Sequence, residues 1–101
     1  MEENCYVEPI YKTAVSAQQL QQADRATLAI WGMGCQNCVT RVRNSLLATE
    51  GVYGVDVYLN MALAEVMYDG KRVLPKQLLE AVAQAGNDGR HEYRAQLLAT
   101  E

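Results

Sequence analysis

The chain has 101 residues, of which 50% are hydrophobic and 21% are charged, and its net charge is -3. These values are typical of one ordinary globular domain, and without a basic stripe the chain does not fit a nucleic-acid binder. No apolar run approaches the ~20 residues that span a bilayer. The acidic start, MEENCYVEP, has neither the basic nor the apolar region of a secretory signal. We therefore expect a cytoplasmic protein with no nucleic-acid partner and no membrane insertion.

The beginning of the chain differs from the rest. Its apolar residues show weak periodicity, and Ser16 with Gln19 forms the pattern of a capping box that opens a short helix toward Asp24. We therefore divide the chain into an N-terminal extension, residues 1–25, and one domain, residues 26–101.

Four stretches of the domain alternate like strands, at residues 27–33, 55–60, 62–68 and 91–97. In the first, Leu28 and Ile30 lie on one face and Trp31 lies on the other. The second and third follow each other closely enough to form a β-hairpin. The residues predicted to face the core from the later strands are Val55, Val57, Leu59, Ala64, Val66, Tyr68, Tyr93, Ala95 and Leu97.

Two stretches have the apolar spacing of helices. The first starts at Cys38, after a loop that contains Gly32 and Gly34, and is expected to stop at Gly51. The second covers residues 75–86, with a proline in its first turn. Their predicted core residues are Val39, Val42 and Leu46 in the first helix, and Leu78, Leu79, Val82 and Ala83 in the second.

The order of these elements, βαββαβ, predicts an α+β ferredoxin-like sandwich. Its four strands form an antiparallel sheet, and its two helices cover one face of that sheet. In this topology, the loop between the first strand and the first helix lies at the same end of the sheet as the loop after residue 86. The fold implies no function by itself, so the function has to come from the residues of these loops.

Cys35 and Cys38 lie where the first strand gives way to the first helix. Because the cytoplasm keeps thiols reduced, such a close pair is metal-binding or redox-active and not a structural disulfide. The N-terminus of a helix and the N–H groups of a glycine-rich loop stabilise thiolates, which are the form that binds metals. Arg41, within one helical turn, adds a positive charge nearby.

A pair of thiolates without a third clear ligand suits some metals better than others. Structural zinc takes four protein ligands, whereas soft Cu(I) suits a bare thiolate pair. A site with two protein ligands also leaves room for a sulfur of a partner, which favours metal transfer. Two alternatives remain open, namely buried thiols without a function and a thiol–disulfide redox protein. The glycines disfavour the first, and Gln36-Asn37 differs from the Gly-Pro of thioredoxin-like proteins.

The stretch GMGCQNC, residues 32–38, resembles the heavy-metal-associated domain family, whose hallmark is Gly-Met-x-Cys-x-x-Cys. LAI before it and GVYGVDVYL after the helix extend the resemblance over residues 26–86. The family comprises small copper chaperones and N-terminal metal-binding domains of copper-transporting P-type ATPases. The resemblance implies a ferredoxin-like fold and Cu(I) held by Cys35 and Cys38. It also implies that Met33 is a core residue and not a ligand.

The resemblance further implies a metallochaperone, not an enzyme, that passes its metal by ligand exchange to a metal-transporting P-type ATPase or another copper acceptor protein. The alternative is that the chain is itself a metal-binding domain of such an ATPase. Hg(II), Zn(II), Cd(II) and Ag(I) are alternatives to Cu(I), and a metal-bridged homodimer is an alternative assembly. Two positions depart from the family. Gly34 stands where most members have Thr or Ser, and Asn87 stands where chaperones often have Lys and ATPase domains Phe or Tyr.

Three further residues have two interpretations each. Cys5 is either an ordinary thiol of the extension or a third metal ligand, and His91 is either a surface residue or an additional ligand beside the metal loop. Trp31 is either covered by the N-terminal extension or exposed as an anchor for a docking partner.

Overall fold

The computed structural model describes residues 8–9, 21–86 and 92–100. Its strands form one sheet in the order β2-β3-β1-β4, and all neighbours in it are antiparallel. Both helices pack on one face of this sheet, so the predicted ferredoxin-like α+β sandwich is confirmed. The elements are β1 (Asp24–Trp31), α1 (Gln36–Ala48), β2 (Val52–Tyr58), β3 (Leu63–Tyr68), α2 (Pro75–Gly86) and β4 (Arg94–Thr100).

Strand β1 lies inside the sheet, between β3 and β4. Its inward side chains are almost completely buried, whereas Trp31 on the opposite face is 53% exposed, which confirms the predicted alternation. The strand starts at Asp24, earlier than the predicted Thr27, because its pairing with β3 continues as far as Tyr68. It stops before Gly32, whose φ of 104° is not extended. The inward side chains are Ala26, Leu28 and Ile30.

The two helices pack against each other as well as against the sheet. The hydroxyl of Ser45 in α1 donates a hydrogen bond of 2.6 Å to the carbonyl of Ala81 in α2. The predicted apolar stripes are confirmed except at Ala83, which is exposed. Ala81 is buried instead because it lies three residues after Leu78 and therefore on the same helix face. The buried residues of the helices are Cys38, Val39, Val42, Leu46, Leu47, Leu78, Ala81, Val82 and Gly86.

The hairpin of β2 and β3 corrects one prediction. Leu59, predicted to face the core, is 36% exposed. Strand β2 ends one residue earlier, and the Leu59 carbonyl accepts a hydrogen bond from the Ala62 N–H at 3.2 Å, so the chain has already turned away from the sheet. Val55 and Val57 are partly buried against the core, and the inward residues of β3 are buried as predicted, namely Ala64, Val66 and Tyr68.

Strand β4 forms an edge of the sheet beside β1. Ala95 and Leu97 pack partly buried against the core, and Tyr93, just before the strand, is 2% exposed. All three therefore face inward, as the alternation of the sequence predicts.

The described part of the N-terminal extension contacts the helical layer. The carbonyl of Glu8 accepts a hydrogen bond of 2.8 Å from the side-chain amide of Asn44 in α1. Gln21 and Gln22 are helical, and Ala23 separates them from the start of β1. Most other residues of the extension lie outside the described ranges. Within those ranges, no helix has both the length and the apolar character that crossing a membrane requires.

Candidate metal centre

The loop between β1 and α1 is held in place at its first residue. Gly32 has a φ of 104°, which favours glycine. A Cβ atom at this position would collide with the carbonyl oxygen of Glu92 and would approach the ring of Tyr93 to 3.2 Å. The loop therefore packs closely on the chain that enters β4. The predicted meeting of the two loops at one end of the sheet is confirmed by this contact.

The two cysteines lie at the start of α1, one at its N-cap and the other in its first turn. Cys35 is the N-cap residue of α1 and has an extended backbone, with φ of -161° and ψ of 176°. Cys38 follows in the first turn, and its N–H donates to the Cys35 carbonyl at 3.0 Å. This turn brings the two Sγ atoms to 4.0 Å from each other. That separation is shorter than two metal–thiolate bonds of about 2.3 Å each, so one ion can contact both sulfurs.

The two sulfurs differ in their surroundings. Cys35 is exposed to solvent, whereas Cys38 is 5% exposed and belongs to the hydrophobic core. The core continues under the loop through Met33, which is partly buried against it. The predicted packing of Met33 is therefore confirmed, and the pair combines one accessible thiol with one that the fold encloses.

Several hydrogen bonds act on the Cys38 sulfur. Burial raises the pKa of this thiol, but hydrogen bonds from the Tyr93 hydroxyl, from the N–H groups of Gly34 and Cys35, and from the Cys35 thiol together lower it below the ordinary value of 9.0. The predicted role of the loop N–H groups is thus confirmed. The lowering arises from hydrogen bonds, and the charge of Arg41 is not among its causes.

Tyr93 is a site residue that the sequence analysis did not identify. It was predicted only as an inward residue of the last strand, yet its buried hydroxyl lies close enough to the Cys38 sulfur to lower the pKa of that thiol. The family comparison directed attention to Asn87, because that residue follows the end of α2 directly. A signal was nevertheless available, since an inward tyrosine at this end of β4 has to place its hydroxyl somewhere in the core.

The remaining ligand predictions fall outside the described residues. Cys5 and His91 both lie in parts of the chain that the structure does not describe. Within residues 8–9, 21–86 and 92–100, no group of three or more His, Cys, Asp or Glu side chains is placed to hold a metal ion. In this part of the chain, the candidate site therefore consists of two thiols.

Three of the proteins that this chain is similar to show the range of its relatives. The copper chaperone CopZ of Bacillus subtilis is 34% identical over 65 residues, which are 64% of this chain and 94% of CopZ. The cation-transporting ATPase HMA5 of Oryza sativa is 38% identical over 79 residues, which are 78% of this chain but 8% of that ATPase. The N-terminal domain of a potential copper-translocating P-type ATPase from Bacillus subtilis superposes with a TM-score of 0.68 at 28% identity, over 78% of this chain and 91% of that domain.

The sequence profile of the heavy-metal-associated domain matches residues 27–88, which include both cysteines, most of β1 and the whole of the four elements from α1 to α2. The fold, the cysteine loop and this match agree, and the chain belongs to the heavy-metal-associated domain family.

Proposed function

We propose that the protein is a metallochaperone that holds Cu(I) between the sulfurs of Cys35 and Cys38. One observation carries this proposal, namely the 4.0 Å separation of the two sulfurs at the start of α1. The lowered pKa of Cys38 supports it, because a thiolate and not a thiol binds metals. The copper-related names of the relatives support Cu(I) as the cargo.

The donor set favours Cu(I) over the other thiophilic ions. Zn(II) and Cd(II) ordinarily complete their coordination with four ligands, and the described residues place two thiols together with no further group. Cu(I) accepts low coordination by soft sulfur. Hg(II) and Ag(I) share this preference, so they compete for the same pair in vitro.

Metal transfer proceeds by exchange of sulfur ligands. A thiolate of the acceptor bonds to the Cu(I) ion, and the bond from Cys35 then breaks because this sulfur is exposed and separates without disturbing the core. A second acceptor thiolate replaces Cys38. Each released thiolate takes a proton from water, and copper remains Cu(I) throughout. The chain binds and releases cargo and catalyses no reaction.

The acceptor we propose is a metal-transporting P-type ATPase or another copper-binding protein in the cytoplasm. The alternative, that this chain is itself a metal-binding domain of such an ATPase, uses the same chemistry with the reverse direction of transfer. The chain spans 94% of CopZ and 8% of the rice ATPase, so the two relatives exemplify both arrangements. Transfer from the Cu(I)-loaded protein to a separate ATPase domain favours the chaperone, and transfer only toward this chain favours the ATPase domain.

A competition titration of Cu(I) against a chelator of known affinity tests the proposal on the reduced protein. Wild type is expected to take Cu(I) from the chelator, and the variant with both Cys35→Ser and Cys38→Ser is expected to lose tight binding while its circular dichroism remains unchanged. Cys5→Ser is the matched control, because it removes the third thiol of the chain and leaves the pair. Tight binding by the double variant contradicts the assignment of the ligands.

The same samples separate the metallochaperone from a thiol–disulfide protein and from a metal-bridged dimer. A redox protein has a disulfide that cycles at the potential of its compartment and binds Cu(I) weakly. A metal-bridged dimer has one Cu(I) for two chains, which analytical ultracentrifugation detects. We expect one tightly bound Cu(I) for each monomer.

A further inference from the structure

A groove lies on the open face of the sheet, directly beside the metal loop. Its volume is about 520 Å³, and Trp31 forms one wall. The indole is 53% exposed and is one of the exposed large apolar side chains of the described residues, and it is the one that lines this groove. An exposed aromatic side chain at the border of a functional loop is typical of a docking surface. The lining residues are Trp31, Gly32, Glu92, Arg94, Ala95 and Gln96.

The chemistry of the groove is defined by Trp31 and Arg94. These two residues are directly opposite each other in the pairing of β1 with β4, so their side chains are neighbours on the same face. Both are exposed, and within the described part of the chain Arg94 forms no ion pair. Among the described residues, the groove therefore combines an apolar surface with a guanidinium that no carboxylate pairs. Glu92 lies two residues before Arg94 and makes the loop end of the groove acidic.

The groove and the thiol pair lie on opposite sides of the backbone contact between Gly32 and Glu92. Gly32 lines the groove and also packs against the Glu92 carbonyl. The next residue, Tyr93, is buried on the other side, in the core cluster that also contains Cys38. The exposed Cys35 and the groove therefore belong to the same loop, Cys35 at its end and Gly32 at its start.

We propose that this groove is a docking site for the copper acceptor, which inserts an apolar side chain against Trp31 and pairs an adjacent carboxylate with Arg94. The proposal rests on the proposed function for the identity of the partner. The binding chemistry of the groove does not depend on metal, so the two can fail separately. Arginine and tryptophan are also the side chains that most often dominate the energetics of protein interfaces.

The groove is tested first on the metal-free full chain with a short peptide that has the predicted chemistry, acetyl-Gly-Glu-Leu-Glu-Gly-amide. Trp31 is the single tryptophan of the chain, so its indole N–H signal in an ¹⁵N spectrum reports binding unambiguously. We expect the peptide to shift the Trp31 and Gln96 signals, and Trp31→Ala or Arg94→Glu to weaken its binding at least about tenfold. The peptide with Lys in place of Glu is expected not to bind.

Matched controls exclude a general effect of surface mutation. Leu98→Ala removes an apolar side chain of β4 that is 54% exposed and lies outside the groove, and Lys76→Glu reverses a charge on α2. Both variants are expected to bind the peptide like wild type. No shift with the acidic peptide, or equal binding by Arg94→Glu, overturns the proposal.

Copper transfer provides the second test. Cu(I)-loaded wild type, Trp31→Ala and Arg94→Glu are each mixed with the metal-free N-terminal domain of the Bacillus subtilis ATPase, and the transfer rate is measured by stopped flow. We expect both variants to bind Cu(I) with wild-type affinity but to transfer it at least about tenfold more slowly. Equal transfer rates overturn the docking role. If wild type fails to bind Cu(I), the proposed function is contradicted instead. The peptide experiment then decides whether the groove is a docking site.

Two other occupants give different results. If the protein's own N-terminal extension or a second copy covers the groove, Trp31 is protected from quenching by acrylamide in the full chain. Dilution removes the protection by a second copy and not the protection by the extension. Either protection overturns the proposal, which requires that acrylamide reaches the half-exposed indole in the absence of a partner.

Discussion

The metal loop, which joins β1 to the first turn of α1, has two halves that make different numbers of contacts with the rest of the domain. The fixed half consists of Gly32 and Cys38, which the chain around Tyr93 contacts through a backbone carbonyl and a hydroxyl. The open half consists of Gly34 and Cys35, where a Cβ on the glycine would meet no atom within 4 Å and where the thiol is exposed. The fixed half keeps one sulfur in a constant position, while the open half leaves the other accessible to a partner.

This difference suits a protein that has to hold its cargo and also release it. If both sulfurs were enclosed, the acceptor thiolate would have no route to the ion without local unfolding. If both were exposed, neither sulfur would be held in a constant position by the core. The enclosed sulfur of Cys38 holds the cargo, and the accessible sulfur of Cys35 allows its release.

The largest expected effect comes from replacing the glycine of the fixed half. Gly32→Ala forces a Cβ onto a residue with positive φ and against the Glu92 carbonyl. We expect the free energy of unfolding to fall by about 2–4 kcal/mol, from strain and overpacking together. Urea denaturation measures the change, with Gly34→Ala as the matched control in the open half. Equal stability of the two variants contradicts the division of the loop.

The second effect concerns the hydrogen bond between Tyr93 and Cys38. Tyr93→Phe keeps the buried ring but removes a donor that lowers the pKa of the thiol, so the pKa of Cys38 is expected to rise. Its ¹³Cβ chemical shift followed over pH measures this change. Cu(I) affinity at neutral pH is expected to fall by about tenfold, as for other residues that orient metal ligands.

The pH dependence of this effect has a defined sign. Because the folded protein has a Cys38 pKa below 9.0, the stabilising contribution of the thiolate is complete above that pH and is lost as the pH falls through the folded pKa. The affinities of wild type and Tyr93→Phe should therefore differ most near neutrality and approach each other above pH 9.0. Tyr58→Phe is the control, since that hydroxyl donates to Glu65 and not to a sulfur. A constant ratio of affinities over the whole range contradicts the titration mechanism.

The third effect concerns the difference in solvent accessibility between the thiols of Cys35 and Cys38. Iodoacetamide added to the metal-free protein is expected to alkylate Cys35 at least about tenfold faster than Cys38, because the enclosed thiol reacts only after a local opening. Tandem mass spectrometry of the tryptic peptide 26–41 distinguishes the two sites. Faster alkylation of Cys38 would show that its lowered pKa outweighs its burial and that it, and not Cys35, is the first sulfur to exchange.

The sequence predicted the fold well where local patterns decide the structure. The alternation of β1, the proline of α2 and the glycine-flanked cysteine pair each depend on residues within a few positions of one another. Leu59 was placed wrongly because alternation continues into the turn, and only the Ala62 hydrogen bond ends the strand. Ala83 was placed wrongly because an alanine contributes little to an apolar pattern. The apolar stripe of α2 could therefore include either Ala81 or Ala83, and the structure buries Ala81.

The surroundings of the sulfurs could be predicted only in part. The N–H groups of the loop follow from the position of the cysteines at a helix start, and they were predicted correctly. The Tyr93 hydroxyl reaches Cys38 from the far end of the sequence, through pairing of β4 with β1 and the close approach of Glu92 to Gly32. Such a contact depends on the register of two strands, which the sequence alone did not determine.

The smallest expected effect is in the open half and has the opposite sign. Gly34 has no positive φ, and a Cβ there meets open space, so nothing in the folded loop requires a glycine. Gly34→Ser also introduces one of the two residues that most family members carry at this position. By reducing the freedom of the unfolded chain, it is expected to stabilise the protein by about 0.4–1 kcal/mol. Differential scanning calorimetry should show a melting temperature a few degrees higher, with Cu(I) affinity unchanged because the Gly34 N–H that bonds the Cys38 sulfur is retained. A lower melting temperature would mean that the open half needs its glycine as much as the fixed half does, and the contrast between Cys35 and Cys38 would then not extend to the backbone that precedes them.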